Sequence, residues 1–285
     1  MRHLFSLQFL LFAISIHAQV SLTTADLPQP GDSLRFATDT TTSGLTAGPA
    51  GANQLWDLSQ LKADEEFGLR FFDPATIPGS DQFPSATVAL QTDQVIVSGD
   101  LSGYVFNEYR DTGLFVLGGV VESPEIEGPT PAFFESPQRL VELPTNFATS
   151  YVDTSRLVLS TGAPDSDSVR YVFDRRMEVT VDSWGTLRLP GGDLQALRQR
   201  IETRSRDSVY VKSAEGIWEL LGADENIILE YQWMARESKG LALLMQFNDA
   251  GLATSVTYFI EAPEIILPPV AAFSIEELGD GAFRF

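Results

Sequence analysis

Cysteine is absent from the 285-residue chain, and histidine is nearly absent. The two histidines, His3 and His17, lie within the first 18 residues. If that segment is removed, Ser-His-Asp and Cys-His catalysis are excluded, as are the usual zinc sites, His-ligated haem and iron–sulfur clusters. With no disulfides, the stability of the domain must come from its hydrophobic core.

The N-terminus has the layout of a secretory signal peptide. A short basic start, Met1 to His3, precedes an apolar run from Leu4 to Ile16, and a small residue, Ala18, follows. This pattern predicts a signal peptide over residues 1–18 that is cleaved after Ala18. The run is shorter than the roughly 20 residues that cross a bilayer, and later apolar clusters are only strand length. We therefore expect a secreted or outer-surface protein with no integral membrane span after signal removal.

Basic residues are scarce, and only three of them are lysines. The chain has 19 Lys and Arg against 39 Asp and Glu, a formal net charge of −20. Nucleic acids and anionic membrane surfaces are bound mainly through basic side chains. The charge therefore argues against both as partners.

Alternating apolar and polar residues recur along the chain, as in Met177 to Val181 and Ser255 to Ile260. Period two with β-branched and aromatic residues is typical of half-buried strands, and Gly/Pro/Asp clusters between them suit hairpins. The only helical signal is a turn or two at Asp57 to Glu66. The sequence predicts an all-β, antiparallel β-sandwich-like domain with hairpin connections and little helix, either as one unit or as two sub-sheets.

Prolines suggest the domain limits. Five of the 16 prolines fall between Glu122 and Pro144, which predicts a loop or a subdomain boundary at 122–144 within a β domain over 19–262. A second proline cluster predicts a stiff linker at 263–270. The last residues, 271–285, have the pattern of a strand that opens another module.

Several short motifs together resemble one family. They are Gly51-Ala52-Asn53-Gln54-Leu55-Trp56-Asp57, Asp182-Ser183-Trp184-Gly185-Thr186-Leu187, Tyr231-Gln232-Trp233 and Gly240-Leu241-Ala242-Leu243-Leu244. They resemble the uncharacterised N-terminal β domain of cell-surface proteins exported by the type IX system. Pro269-Val270-Ala271-Ala272-Phe273-Ser274 is similar to the opening strand of an Ig-like PKD module. The resemblance implies location and architecture, with 271–285 as a truncated start of that module, and it implies no catalytic residue.

The most unusual pattern is a row of charged residues on one predicted strand. Alternation would place them on one face. Such a row could bind sulfated or carboxylated glycans. It could instead form a cross-strand ion ladder with the acids of the strand Tyr171 to Asp182, and the abundance of acid favours the ladder. The row consists of Arg198, Arg200, Glu202, Arg204 and Arg206.

Other candidates have simple structural explanations. Ser59-Gln60-Leu61-Lys62 matches an S-x-x-K spacing without its companion motifs. Asp165 and Asp167, with Asp153, offer oxygen ligands for calcium but lack the EF-hand pattern. Strand-like carboxylates could hydrolyse a glycosidic bond, although solvated sheet faces also explain them. The carboxylates are Glu108, Glu178 and Glu230.

The four tryptophans could stack on sugars or pack in the core, and Trp218, beside turn residues, is the one expected to be exposed. We assign no catalytic, metal-binding or cofactor-binding residue and expect no cofactor, calcium being the one candidate. The predicted function is a non-enzymatic exported domain that binds a ligand, such as a glycan or a surface protein, or supports adhesion. The alternative is an extracellular carbohydrate-binding or carboxylate-dependent glycoside-hydrolysing domain. The candidate ligand face consists of Arg198, Arg200, Arg204, Arg206 and Trp218.

Overall fold

The computed structural model describes residues 20–92, 102–122, 130–161, 169–248 and 250–260, with the backbone of 276–277 and 283–284. Strands dominate these ranges, and helix is limited to 3-10 turns at Thr24–Asp26, Pro74–Thr76 and Ser80–Gln82. This confirms the all-β class. The predicted signal peptide (1–18), the linker (263–270) and the Asp165 to Asp167 loop lie outside the described residues.

Fifteen strands are described. In chain order they are β1 (Ser33–Asp39), β2 (Gly51–Asp57), β3 (Glu65–Phe72), β4 (Val88–Thr92), β5 (Ser102–Arg110), β6 (Gly113–Glu122), β7 (Thr130–Glu142), β8 (Ser150–Thr161), β9 (Val169–Leu189), β10 (Gly192–Lys212), β11 (Trp218–Ala235), β12 (Gly240–Phe247), β13 (Ala253–Ile260), β14 (Glu276–Glu277) and β15 (Phe283–Arg284).

Twelve antiparallel strands form one closed sheet. Each strand from β3 to β13 pairs with the next, and β1 joins β3 to β13. The predicted sandwich is therefore wrong, and so are separate sub-sheets. Sandwiches and closed sheets both alternate buried and exposed residues along each strand, so the sequence pattern does not distinguish them. The β1–β13 pair, which aligns Arg35 with Ile260, closes the sheet and depends on residues far apart in the sequence.

Strand β2 adds to the closed sheet in parallel with the second half of β9. Strand β9 is long enough to have two neighbours on this side: β8 pairs with Val169 to Thr180 and β2 with Ser183 to Arg188. A Cβ on Gly185 would lie 2.0 Å from the carbonyl oxygen of Gln54. The backbones of β2 and β9 therefore approach each other closely at Gly185.

The core extends over both faces of the sheet around β10. Ala196, Leu197, Arg198 and Gln199 are all buried, although consecutive residues point to opposite faces. One face packs with Ala47, Trp56 and Leu61, and the other packs with residues of the N-terminal segment, Val20, Leu22 and Leu27. Segments before β1 and between β1 and β3 therefore cover the sheet on its two sides.

The proline-rich segment contains a strand where a loop or boundary was predicted. In β7, Pro131 pairs in register with Val120, and Pro137 falls where the register jumps from Phe133 to Gln138. Strand β7 pairs with β8 only at Phe133 and Phe134, so it is almost an edge strand, where proline is tolerated. The strands before and after this segment belong to one sheet.

The helical turn predicted at Asp57 to Glu66 does not form: Asp57 ends β2, Glu65 begins β3, and between them the Leu61 N–H donates to the Leu58 carbonyl oxygen in a single turn. At the C-terminus, β14 and β15 form an antiparallel pair. The helical segments within the described residues include none that is long and apolar enough to cross a membrane.

Candidate functional site

The arginine row runs along β10, and the structure separates it into buried and exposed parts. In the β9–β10 hairpin, Arg206 lies opposite Asp174 and Arg204 opposite Arg176. Arg204 and Arg206 are exposed, whereas Arg198 is 1% exposed. Arg198 therefore does not contribute to the exposed surface of the row.

Arg198 is held inside the protein by a bidentate ion pair. Its Nε and Nη2 lie 2.8 Å and 2.9 Å from the two carboxylate oxygens of Asp182. Its Nη1 donates to the carbonyl oxygens of Ala47 and Gly48. A buried arginine needs such partners because an uncompensated charge in the core is costly. The guanidinium also lies within 6 Å of the ring centroids of Trp56, Tyr231 and Trp233.

The exposed row pairs mainly along its own strand. Glu202 accepts from Arg200 at 3.1 Å and from Arg204 at 3.0 Å. These hydrogen bonds, the one from Arg204 first, lower the pKa of the Glu202 carboxyl. The expected ladder between the row and the acids of β9 forms only at Arg198 and Asp182. Side chains two apart on a strand share a face, so Glu202 reaches its own neighbours.

Two adjoining cavities lie beside the exposed end of the row, with volumes of about 520 and 540 Å³. Both are lined by Glu135 and Arg156, and we call the two neighbouring cavities together the arginine groove. It crosses β7, β8, β9, β10 and β11. Its charged lining residues are Glu135, Arg156, Arg170, Asp174, Arg175, Arg176, Arg204, Arg206 and Glu225, and its apolar end contains Phe133, Val158, Val172, Tyr210 and Trp218.

Three arginines of the groove have no ion pair. Arg156 pairs with Asp174, Arg176 with Glu178 and Arg204 with Glu202. Arg170, Arg175 and Arg206 form no ion pair among the described residues. Among the described side chains one further arginine, Arg70, also forms no ion pair, and it lies outside the groove.

Trp218 lines the apolar end of the groove and is half-buried. The Arg170 guanidinium lies 4.1 Å from its ring centroid, and the Lys212 ammonium lies 5.6 Å from it. These cation–π contacts orient Arg170 at the groove. The other tryptophans serve the core: Trp56 and Trp233 are buried with ring centroids 5.8 Å apart, and Trp184 packs beside Val181 and Leu197.

The carboxylates considered for glycoside hydrolysis are not brought together. Glu108 accepts from Arg110, which lowers its pKa, and Glu178 pairs with Arg176. Burial raises the pKa of Glu230, whose carboxylate accepts from Gln232 at 2.7 Å. None of the three lines the groove.

No metal centre is evident in the described part of the chain, where no group of three or more Asp or Glu side chains is placed to hold an ion. Of the three calcium candidates, only Asp153 is described. Burial raises the pKa of its carboxyl, and its Oδ2 has no hydrogen-bond partner. Ser59 donates to Asp57 at 2.7 Å, so its hydroxyl is part of a turn.

Arg156, Arg170 and Arg175 were missed as site residues. The signal that could have found Arg170 is the hairpin turn at Pro190-Gly191-Gly192. Counting back from that turn brings Arg170 to within one residue of Tyr210, on the strand that carries the row, and the register shift at Arg198/Gln199 places the two directly opposite each other. Arg156 lies on β8, and the turn cluster Gly162 to Asp167 between β8 and β9 is longer than the two-residue turns that fix the register of a hairpin.

The chain matches no family model, and no curated protein is similar to it. Among solved structures, a protein of Bacteroides fragilis with a YmcC-like fold, assigned to the exported proteins, is similar at 12% identity with a TM-score of 0.35. The match covers 82% of this chain and 95% of that protein.

Proposed function

We propose that this chain is an exported, non-enzymatic binding domain whose arginine groove holds a segment of an acidic glycan. The observation that carries the proposal is the position of the unpaired cations. Three of the four arginines without an ion pair in the described chain line this one groove. Acidic residues outnumber basic ones two to one, so arginines left unpaired together suit an anionic ligand.

The local charge of the groove is opposite to that of the chain. Six arginines and three acids line it, giving a formal charge of +3, whereas the chain carries −20. Guanidinium groups bind carboxylate and sulfate oxygens in bidentate geometry. The groove thus offers repeated anion sites.

The length of the groove suits a chain of sugars. It crosses five neighbouring strands, and adjacent strands lie about 4.8 Å apart, so it extends for roughly 19 Å. At its apolar end, Tyr210 and Phe133 supply ring surface for the apolar faces of sugars. An extended acidic polysaccharide fits both ends.

The test measures binding of the full chain to a sulfated polysaccharide, a polyuronate and neutral dextran. Arg206→Ala should weaken binding to an acidic polymer by roughly tenfold, since one charge-assisted contact contributes about 1.5–3 kcal/mol. Arg70→Ala is the matched control, because Arg70 is exposed and unpaired but outside the groove. It should bind as the parent protein does.

Three results would overturn the proposal. Equal binding of dextran would show that charge is not recognised. An equal loss in Arg70→Ala and Arg206→Ala would show that the groove is not the site. Release of new reducing ends during incubation would favour the hydrolase alternative.

Export is proposed from the N-terminal segment. Mass spectrometry of protein recovered outside the producing cells should find Gln19 as the first residue. The type IX route and the PKD-like start at 271–285 are part of this proposal and rest on the motif resemblance. Adhesion would follow if the acidic glycan belongs to a surface.

A further inference from the structure

The outer half of β11 is an unpaired sheet edge. Strand β11 pairs with β10 along its whole length, but its pairing with β12 begins only at Leu229. On the side away from β10, no backbone hydrogen bond is formed by 218–228 in the described structure. Such an edge presents the N–H and C=O groups of alternate residues to any strand that approaches. We call this segment the open edge.

Exposed apolar side chains concentrate at this edge. Of nine large hydrophobic residues exposed in the described chain, three lie in the open edge and a fourth, Ile217, directly precedes it. Leu221, the most exposed at 70%, is the extra residue of a bulge opposite Val209 and Tyr210. Beyond the bulge, Gly222 to Ile228 run without interruption against β10. The four exposed residues are Ile217, Leu220, Leu221 and Ile227.

The charge of the edge is of one sign. Glu219, Asp224 and Glu225 lie within it, none forms an ion pair in the described structure, and 218–228 contain no basic residue. A second copy of this chain would bring the same acids to the interface, and like charges on facing strands are destabilising. The occupant that fits is basic.

We propose that the open edge binds an extended segment of a partner protein in which apolar and basic residues alternate. The segment adds as a strand along Gly222 to Ile228 and pairs its backbone with the free N–H and C=O groups. Neighbouring residues of a strand face opposite sides of the sheet, so its basic side chains face Asp224 and its apolar side chains cover Ile227, on the side that Glu225 shares. This surface adjoins the arginine groove, which Trp218 and Glu225 line, whereas Asp224 and Ile227 lie outside the groove.

The test uses the full chain and a fluorescent octapeptide of alternating lysine and valine, followed by anisotropy. The parent protein should bind this peptide and not its glutamate–valine counterpart. Ile227→Lys, which places a like charge against the peptide at a 53% exposed position, should weaken binding by roughly tenfold or more. Leu55→Lys, at a 60% exposed position on β2, is the matched control and should not change it.

Hydrogen exchange supplies a second measurement, since amides of Gly222 to Ile228 should gain protection when the peptide binds. Arg156→Ala should leave peptide binding intact, because Arg156 lines the groove on β8, three strands away from β11, and this separates the two sites. Three outcomes overturn the proposal: equal binding of the acidic peptide, no binding at about 1 mM lysine–valine peptide, or dimerisation of the parent protein that Ile227→Lys abolishes. The last would assign the edge to a second copy.

Discussion

The fold shifts the pKa values of two glutamates in opposite directions. Burial raises the pKa of Glu230, so the folded state favours its protonated form. A hydrogen bond from Arg110 lowers the pKa of Glu108, so the folded state favours its charged form. The two side chains should therefore affect stability in opposite directions as pH changes.

The Glu230→Gln variant should be more stable than the parent at pH 7. The folded-state pKa lies above the unfolded one, so the stability from protonated Glu230 is complete below the unfolded pKa and is lost as pH rises through the folded pKa. Glutamine removes the cost of the buried charge, and the melting temperature should rise by a few degrees at pH 7 and change little at pH 4.

Glu108→Gln is the control with the reverse sign. The stability contributed by charged Glu108 is present above its unfolded pKa and is lost as pH falls through its folded pKa. This variant should melt lower than the parent at pH 7, with a smaller difference under acidic conditions. If Glu230→Gln also melts lower at pH 7, burial of its charge does not limit stability.

The burial of Arg198 could not be predicted from the sequence pattern. Alternation predicts that Arg198 shares a face with Arg204 and Arg206. It does not predict that Arg198 is buried, because its partners Ala47 and Gly48 belong to a segment about 150 positions away. Local periodicity specifies the direction of a side chain, whereas burial depends on which distant segment covers that face.

At the scale of elements, the contact between β2 and β9 leaves no space for a side chain at Gly185. Gly185→Ala should lower the free energy of unfolding by about 1–3 kcal/mol, because its Cβ would overlap the backbone of Gln54 and force β2 away. Urea unfolding measures the change. Gly191→Ala is the control, since its Cβ would meet no atom within 4 Å. Equal midpoints for the two variants would contradict the tight β2–β9 contact.

Strand patterns were predictable and strand partners were not. The alternation in Met177 to Val181 and the turn at Pro190 to Gly192 specify the β9–β10 hairpin. Sheet closure and the parallel addition of β2 depend on pairs more than 120 residues apart, for which a single sequence gives no local signal. Proline in β7 misled the prediction because its cost depends on whether a neighbour needs its missing N–H.

The whole molecule combines a strong negative charge with one arginine-lined groove. At about 0.01 M salt the Debye length is roughly 30 Å, and an approaching polyanion is repelled by the entire chain. At about 0.15 M it is roughly 8 Å, and the polyanion then responds mainly to the nearby arginines. The association rate with an acidic polysaccharide should therefore rise over this range, as stopped-flow mixing can measure. A rate that falls steadily with salt would contradict attraction confined to the groove.

The pairing of β1 with β13 has a consequence for the order of folding. The turn at Pro190 to Gly192 lets β9 and β10 meet early, because the loop they close is very short. The alignment of Arg35 with Ile260 requires nearly the whole chain to be present, which implies a high contact order and slow folding. We therefore expect the β9–β10 hairpin to act as the kinetic nucleus and the ends of the domain to join last.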